Sequence, residues 1–364
     1  MYHNKYPDMV NFRRNETEKM GVTIKDIAAV AGVSQATVSR VLNGTSYTSD
    51  KARKRVMEAV KQTGYSPSVI ASSLSRKRSP TIGVIIPDIC NDFFSQIFYA
   101  ASKIAETNDY RLILCNTDDQ LKQEADALND MLAYRVSGII MTPMSEQAEN
   151  NELLLKRVQA AGIPIVFVDR EMKNIACDCV FVDNVRSSYE ITRLLIQNGH
   201  RKIAIIAGPQ DTVPGRERMR GYQQALAEAG IVPDPDHIRL ADFRNQSSYE
   251  ATLDLLAMKN RPTAIFSCNN LMTVGCLRAL HSKNVHVPQD IALVGFDEVE
   301  MLDILGYPLT VVSRATSEMG RVAMRLLLNR IEHMEENAPC QRVVLQSHLK
   351  IAGSEKFPTT WSPV

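Results

Sequence analysis

Five stretches of this chain end in residue types that bind polar ligands. Asn91, Phe93 and Phe94 follow "IGVIIPDIC", Asp169 and Arg170 follow "IPIVFV", Arg216 lies in "GPQDTVPGRERMRGY", Asn269 and Asn270 follow "AIFSC", and Asp297 follows "IALVGF". Aromatic rings stack on the apolar C–H face of a polyhydroxyl molecule, while carboxylate, amide and guanidinium groups each take a hydroxyl. Any one such residue taken alone reads better as a solvated loop charge or ion pair, because loops are polar; five strand ends behaving alike point to a shared binding site. No catalytic set accompanies them. His3, His200, His237, His281, His286, His333 and His348 fall in tails, loops or helix surfaces, and no Gly-x-Ser-x-Gly, HExxH or P-loop pattern occurs. The expectation is a binding protein without cofactor, not an enzyme. The cysteines (Cys90, Cys115, Cys177, Cys179, Cys268, Cys276, Cys340) are odd in number and scattered, which fits reduced structural thiols. The "CDC" at Cys177 to Cys179 has no second pair at zinc-ligand spacing, so no metal is expected.

A second constellation is "VSQATVSRVLNG", Val33 to Gly44. As a helix it gathers Val38, Val41 and Leu42 on one side and Gln35, Ala36, Ser39, Arg40 and Asn43 on the other. Upstream, "TIKD" at Thr23 to Asp26 starts an earlier helix with a capping-box pattern, and Gly32 ends it. Ser34 caps the next, and a third begins near Ser49 with Ala52, Val56, Ala59 and Val60 inward and Lys51, Arg53, Lys54 and Lys61 outward. Ten Lys or Arg against three acids lie between Gly21 and Arg78, a local excess of +7 in a chain whose net charge is +1. A compact basic unit on an acidic body is the footprint of nucleic-acid binding by one part only.

From Thr81 the chain alternates apolar β-rich runs at Ile82, Arg111, Ser137, Ile163, Lys202, Thr263 and Ile291 with amphipathic segments such as Phe94 to Asn108, Gly215 to Ala229 and Ser317 to Glu332. That alternation predicts parallel sheets covered on both faces. The pattern restarts at "HRKIAIIAGP" after about residue 185, which predicts two α/β lobes with a ligand crevice at the carboxyl ends of their strands. The expected organisation is an N-terminal extension over 1–20, with Met20 an alternative start, a helix-turn-helix over 21–65, a short hinge helix and linker over 66–80, a two-lobed body over 81–353 and a tail over 354–364. The first residues, "MYHNKYPDMVNFRRNETEK", lack the apolar segment of a secretory signal, and no apolar run is long enough to span a bilayer. A cytoplasmic protein without membrane partner is expected.

"VTIKDIAAVAGVSQATVSRVLNG", then "GYSPSVIASSL", then the two-lobed body resembles the lac repressor (LacI/GalR) family of bacterial transcription regulators, from Val22 to about Ala352. Within the body "NDFF", "VDR", "RERMRGY", "NNLM" and "VGFD" also resemble periplasmic ribose-binding proteins. The resemblance implies a small all-α helix-turn-helix domain joined to a periplasmic-binding-protein-like body. It further implies a homodimer on double-stranded, pseudo-palindromic operator DNA, with Gln35, Ala36 and Arg40 facing base edges. Thr23, Ser34, Thr37, Ser39, Asn43 and Tyr65 match positions that touch phosphates. Leu74, with Ala71, matches the hinge helix that wedges into the minor groove. Asn91, Phe93, Phe94, Asp169, Arg170, Arg216, Asn269 and Asp297 match sugar contacts, which implies a small-molecule sugar effector and a repressor of a carbohydrate-utilisation operon. Two positions depart from the pattern: Asn270, where many relatives have Asp, and Arg314, where sugar binders usually have Gln. Arg314 either clamps a carboxylate or phosphate on the effector or pairs with a nearby acid such as Glu298 while a neutral sugar binds. The alternatives are the same regulator fold with a purine or phosphoprotein co-effector, or a sugar-binding transport protein. The end "EKFPTTWSPV" carries no leucine heptad, so a dimer is expected in preference to a tetramer.

Overall fold

The computed structural model describes residues 22–43, 48–64, 79–333 and 339–359. The chain divides into two compact units with the boundary between Ser75 and Arg76.

In the first unit, α1 (Ile24–Ala31), α2 (Gln35–Asn43) and α3 (Asp50–Thr63) enclose a small core. The capping box forms as the sequence predicts: Thr23 N–H donates to Asp26 Oδ2 at 2.8 Å and Asp26 N–H to Thr23 Oγ1 at 3.4 Å. Gly32 takes the left-handed conformation that ends α1 (φ 61°), and its carbonyl accepts from Arg55 of α3 at 3.2 Å. Thr37 N–H donates to Ser34 Oγ at 3.1 Å, capping α2. The core is Ile27, Ala28, Ala31, Val38, Val41, Val56 and Ala59; Ala52 and Val60, expected inward, are only partly buried.

The second unit holds two sheets with the same strand order. The first runs β11-β5-β4-β3-β1-β2, from β1 (Thr81–Ile86), β2 (Arg111–Asn116), β3 (Gly138–Met141), β4 (Ile165–Val168), β5 (Asp178–Val182) and β11 (Arg342–Leu345). The second runs β12-β10-β9-β8-β6-β7, from β6 (Ile203–Ala207), β7 (Ile238–Leu240), β8 (Ala264–Ser267), β9 (Ala292–Phe296), β10 (Thr310–Arg314) and β12 (Ser347–Lys350). Every pairing is parallel except β10 with β12. The helices are α4 (Asp92–Thr107), α5 (Leu121–Ala133), α6 (Glu149–Ala160), α7 (Asn184–Gln197), α8 (Val213–Glu228), α9 (Asn245–Ala257), α10 (Asn270–Ser282), α11 (Glu300–Ile304) and α12 (Thr316–Glu332). Because α7 packs on α8 and β12, while α12 packs on α4 and β3 to β5, the chain crosses between lobes three times, at Asp183, Ala315 and Gln346.

Five strands escape the sequence pattern. β7 has three residues, β11 and β12 are half-exposed, β10 ends in Arg314, and β5 opens with Asp178, a buried carboxylate that accepts two bonds from Arg330 at 2.8 Å. The boundary at 353 also moves. Ser354 and Glu355 are buried: Ser354 Oγ donates to Leu293 O at 2.6 Å and accepts from Thr310 N at 2.8 Å, while Glu355 O meets His200 Nε2 at 3.1 Å. Residues 354–359 therefore complete the second lobe, because the starts of β9 and β10 have backbone groups to satisfy. Among the described residues no helix is long and apolar enough to cross a membrane, and no cluster of His, Cys, Asp or Glu could hold a metal.

Ile27 is fully buried in a seven-residue core. Ile27→Ala should cost about 2–5 kcal/mol and melt the N-terminal helices while the second unit, with cores of its own, keeps its thermal transition. Circular dichroism and calorimetry of the full chain would show this.

Candidate functional site

The strands β4 and β9 hold the same place in the two lobes, and each ends in an aspartate with a left-handed backbone: Asp169 at φ 66° and Asp297 at φ 74°. Each N–H is donated to the neighbouring strand, Asp169 to Val180 O at 3.0 Å and Asp297 to Val312 O at 2.9 Å. This conformation costs energy outside glycine, although aspartate tolerates it better than most. Its use at both equivalent positions aims the two carboxylates into the crevice between the lobes.

What they meet is Arg314, the last residue of β10. Its Nη1 donates to Asp169 Oδ1 at 2.7 Å, its Nη2 to Asp297 Oδ2 at 2.6 Å, and its Nε to Asp297 Oδ1. The side chain is 3% exposed and its Cζ stands 3.6 Å from the centre of the Phe93 ring. Burial pushes this guanidinium's pKa down, but the two carboxylates outweigh it and hold the value above the ordinary one. Arg314 thus pairs with Asp297 and Asp169, not with Glu298, because the carboxylate of residue 297 points into the crevice.

Of the other residues expected here, Asn91, Phe93, Phe94, Arg170 and Asn269 all line the same cavity. The amides are already engaged. Asn91 Oδ1 accepts from Phe93 N at 3.1 Å and, across the lobes, from Asn270 Nδ2 at 2.9 Å; Asn269 caps α10 through Met272 N at 2.7 Å and donates to Phe243 O at 2.8 Å. Arg170 donates to Asp119 at 2.7 Å, and its buried Nε has no partner.

Arg216 does not reach the cavity. It forms a two-point pair with Glu146 at 2.9 and 2.7 Å and is 45% exposed. Arg218 lines the cavity in its place: it is buried, donates to Asn184 Oδ1 at 2.9 Å and Cys268 O at 2.5 Å, and stacks 3.6 Å from the Phe296 ring centre. Burial, aided by nearby Arg314, brings its pKa down to about 10. Two residues along a helix turn a side chain by about 200°, so only one of the pair can face inward. The sign in the sequence is that Arg218 shares a stripe with Gly221, Tyr222 and Ala225. Gly221 fixes that stripe, since a Cβ there would come within 2.2 Å of Val185 O on α7.

The cavity also takes Asp88, Asp119, Phe243 and Arg244, so four aspartates face four arginines and the lining is electrically balanced. Its free volume is only about 30 Å³, room for a water or two.

In the first unit Gln35, Ala36 and Arg40 are exposed on α2 while Val38 and Val41 are buried beneath them. Thr23 and Ser34 are exposed, Thr37 and Ser39 partly so, and the Thr23 hydroxyl donates to Asp26 at 2.7 Å. The side chain of Asn43, the residue Tyr65, and Ala71 and Leu74 of the expected hinge lie outside the described residues.

Residues 23–68 match the bacterial regulatory proteins of the lacI family, and residues 79–350 match the periplasmic binding proteins and sugar binding domain of LacI family. The chain belongs to the LacI family of transcription regulators. It is 34% identical over 321 residues to the HTH-type transcriptional regulator RegA of Clostridium saccharobutylicum, covering 88% of this chain and 96% of that protein. With the ribose operon repressor of Haemophilus influenzae it shares 31% over 315 residues, 86% of this chain and 93% of that one. Among solved structures, the lac repressor dimer bound to operator and the anti-inducer ONPF superimposes with a TM-score of 0.77 at 28% identity, covering 92% and 99% of the two chains. The CelR–cellobiose complex does so at 0.68 and 30%, with the same coverage. Like these relatives, the LacI-family chain described here is a DNA-binding regulator and not an enzyme.

Urea denaturation separates the two arginines. Arg218→Met takes the donor away from Asn184 Oδ1 and the Cys268 carbonyl and should lower stability by about 1–3 kcal/mol. Arg216→Ala should cost less than Arg218→Met, since Arg216 is 45% exposed and Glu146 keeps Lys173 at 3.5 Å.

Proposed function

We propose that this regulator is a cytoplasmic repressor that binds a pseudo-palindromic operator as a homodimer and is tuned by an uncharged carbohydrate in the interlobe crevice. One observation carries the DNA half: the exposed Gln35, Ala36 and Arg40 on a helix anchored by Val38 and Val41, in a segment with a +7 excess. Gln reads adenine and Arg reads guanine through two hydrogen bonds each, and Ala36 offers contact to a thymine methyl. Thr23, Ser34, Thr37, Ser39, Asn43 and Tyr65 hold the phosphates, and Leu74 with Ala71 opens the minor groove at the operator centre.

For the dimer, Met301, Ile304, Leu305 and Ile351 form exposed apolar surface on the second lobe, at 60%, 71%, 71% and 59%. Apolar surface of this kind is what an interface covers. For the effector, Phe93 and Phe94 supply ring faces and Asp169, Asp297 and Arg218 supply polar groups. The pairing of Arg314 with two carboxylates supports a neutral polyhydroxyl ligand over an anionic one. The names of the relatives above, a ribose operon repressor and a cellobiose-bound regulator, support the same class.

With an operator selected from a random duplex library, Gln35→Ala should weaken specific binding about tenfold to a hundredfold, equivalent to the 1–3 kcal/mol of a lost two-bond base contact. Binding to unrelated duplex should stay within about threefold, because phosphate contacts carry it. Equal weakening on both duplexes in fluorescence anisotropy would make the face a phosphate clamp and overturn the assignment.

A further inference from the structure

We propose that Arg314 is a tethered occupant of the effector crevice that latches the two lobes together. An effector then binds only by taking Asp169 and Asp297 away from it, which selects a ligand rich in hydroxyl donors and excludes a carboxylate or phosphate. This rests on the effector reading above and deepens it. Asp169 belongs to the first lobe and Asp297 to the second, so one guanidinium spans the crevice. It stacks on Phe93, the ring that a sugar face would otherwise use. The remaining free volume of about 30 Å³ is too small for a monosaccharide, so Arg314 has to leave before a ligand enters.

The place it leaves for is built into the fold. A second cavity of about 90 Å³ lies on the other side of Arg314, with Phe93, Asp297 and Arg314 bordering both spaces. Two further carboxylates, Asp92 and Glu298, line it together with Ser313 and Thr316, so the displaced cation finds countercharges there. Arg314 is also the last residue before the interlobe crossing at Ala315. The ligand class follows from what is left behind. Two ionised carboxylates accept hydrogen bonds and offer none; hydroxyls satisfy them, whereas an incoming anion would leave both unpaired in a buried site and add repulsion.

The test compares the full-length protein with Arg314→Gln, using D-ribose and cellobiose as neutral probes and D-gluconate and D-ribose 5-phosphate as anionic ones. Without the latch, Asp169 and Asp297 repel each other. The ligand-free variant should then show a larger radius of gyration in X-ray scattering and bind a neutral probe at least about tenfold more tightly by calorimetry. If neither protein binds any probe but the variant still expands, the latch stands and the carbohydrate reading falls. Unchanged scattering with unchanged or weaker neutral binding overturns the latch, as does loss in the variant of an anion that the parent binds. Arg314→Lys keeps a charge but cannot bond a carboxylate through two nitrogens. It should shift both readouts in the same direction, and it replaces the Gln variant should that fail to fold.

Discussion

A carboxylate removed from water needs a countercharge, and this body places two of them, one per lobe, on opposite walls of a single crevice. Asp169 and Asp297 are 5% exposed, and both sit on left-handed backbones at the ends of equivalent strands. Much of the crevice follows from that demand. Arg314 spans the pair, Phe93 and Phe296 flatten against guanidinium planes, and Arg218 adds a second cation that balances the buried set. Removing one member of such a network costs more than the network contributes, because it strands a buried charge. The crevice is therefore a unit whose members change together, which suits an allosteric device with two arrangements.

The duplication of the sheet makes such a device possible. Both lobes use the same strand order, so their ligand-facing edges come from equivalent positions. Three chain crossings lie beside the crevice. Arg314 adjoins one of them, and Asn184, which accepts from Arg218, adjoins another. A change in who holds Asp169 and Asp297 is thus felt where the lobes pivot. Arg216 with Glu146, Asn270 with Asn91 and Arg244 with Asp118 add pairs across the gap, so closure is distributed over several sites with the buried one at the centre.

Much of this was legible from periodicity and punctuation. Apolar runs ending in Asp, Asn or Arg located the crevice because a parallel sheet delivers its strand ends to one edge. The capping box at Thr23 and the glycine at 32 marked the first helix because their chemistry is local. What escaped depends on distant partners. Arg216 and Arg218 look alike until the inward face of their helix is known. The true partners of Arg314 include Asp169, 145 residues away, whereas Glu298, close in sequence, lines the second cavity and forms no ion pair with it. Asp178 hid β5 because a buried aspartate is tolerable only with Arg330 beside it. Ser354 and Glu355 read as tail because nothing local says that the starts of β9 and β10 need them.

The central claim is that one guanidinium couples the lobes through a carboxylate on each side. A double-mutant cycle tests it most directly: Asp169→Asn, Arg314→Gln and the double variant, each unfolded in urea as the full-length chain. Coupled groups in one buried network should be non-additive by at least about 1 kcal/mol. The double variant should be less destabilised than the sum of the single ones. Additivity within about 0.3–0.5 kcal/mol would mean that Asp169 and Arg314 act independently, and would contradict the account.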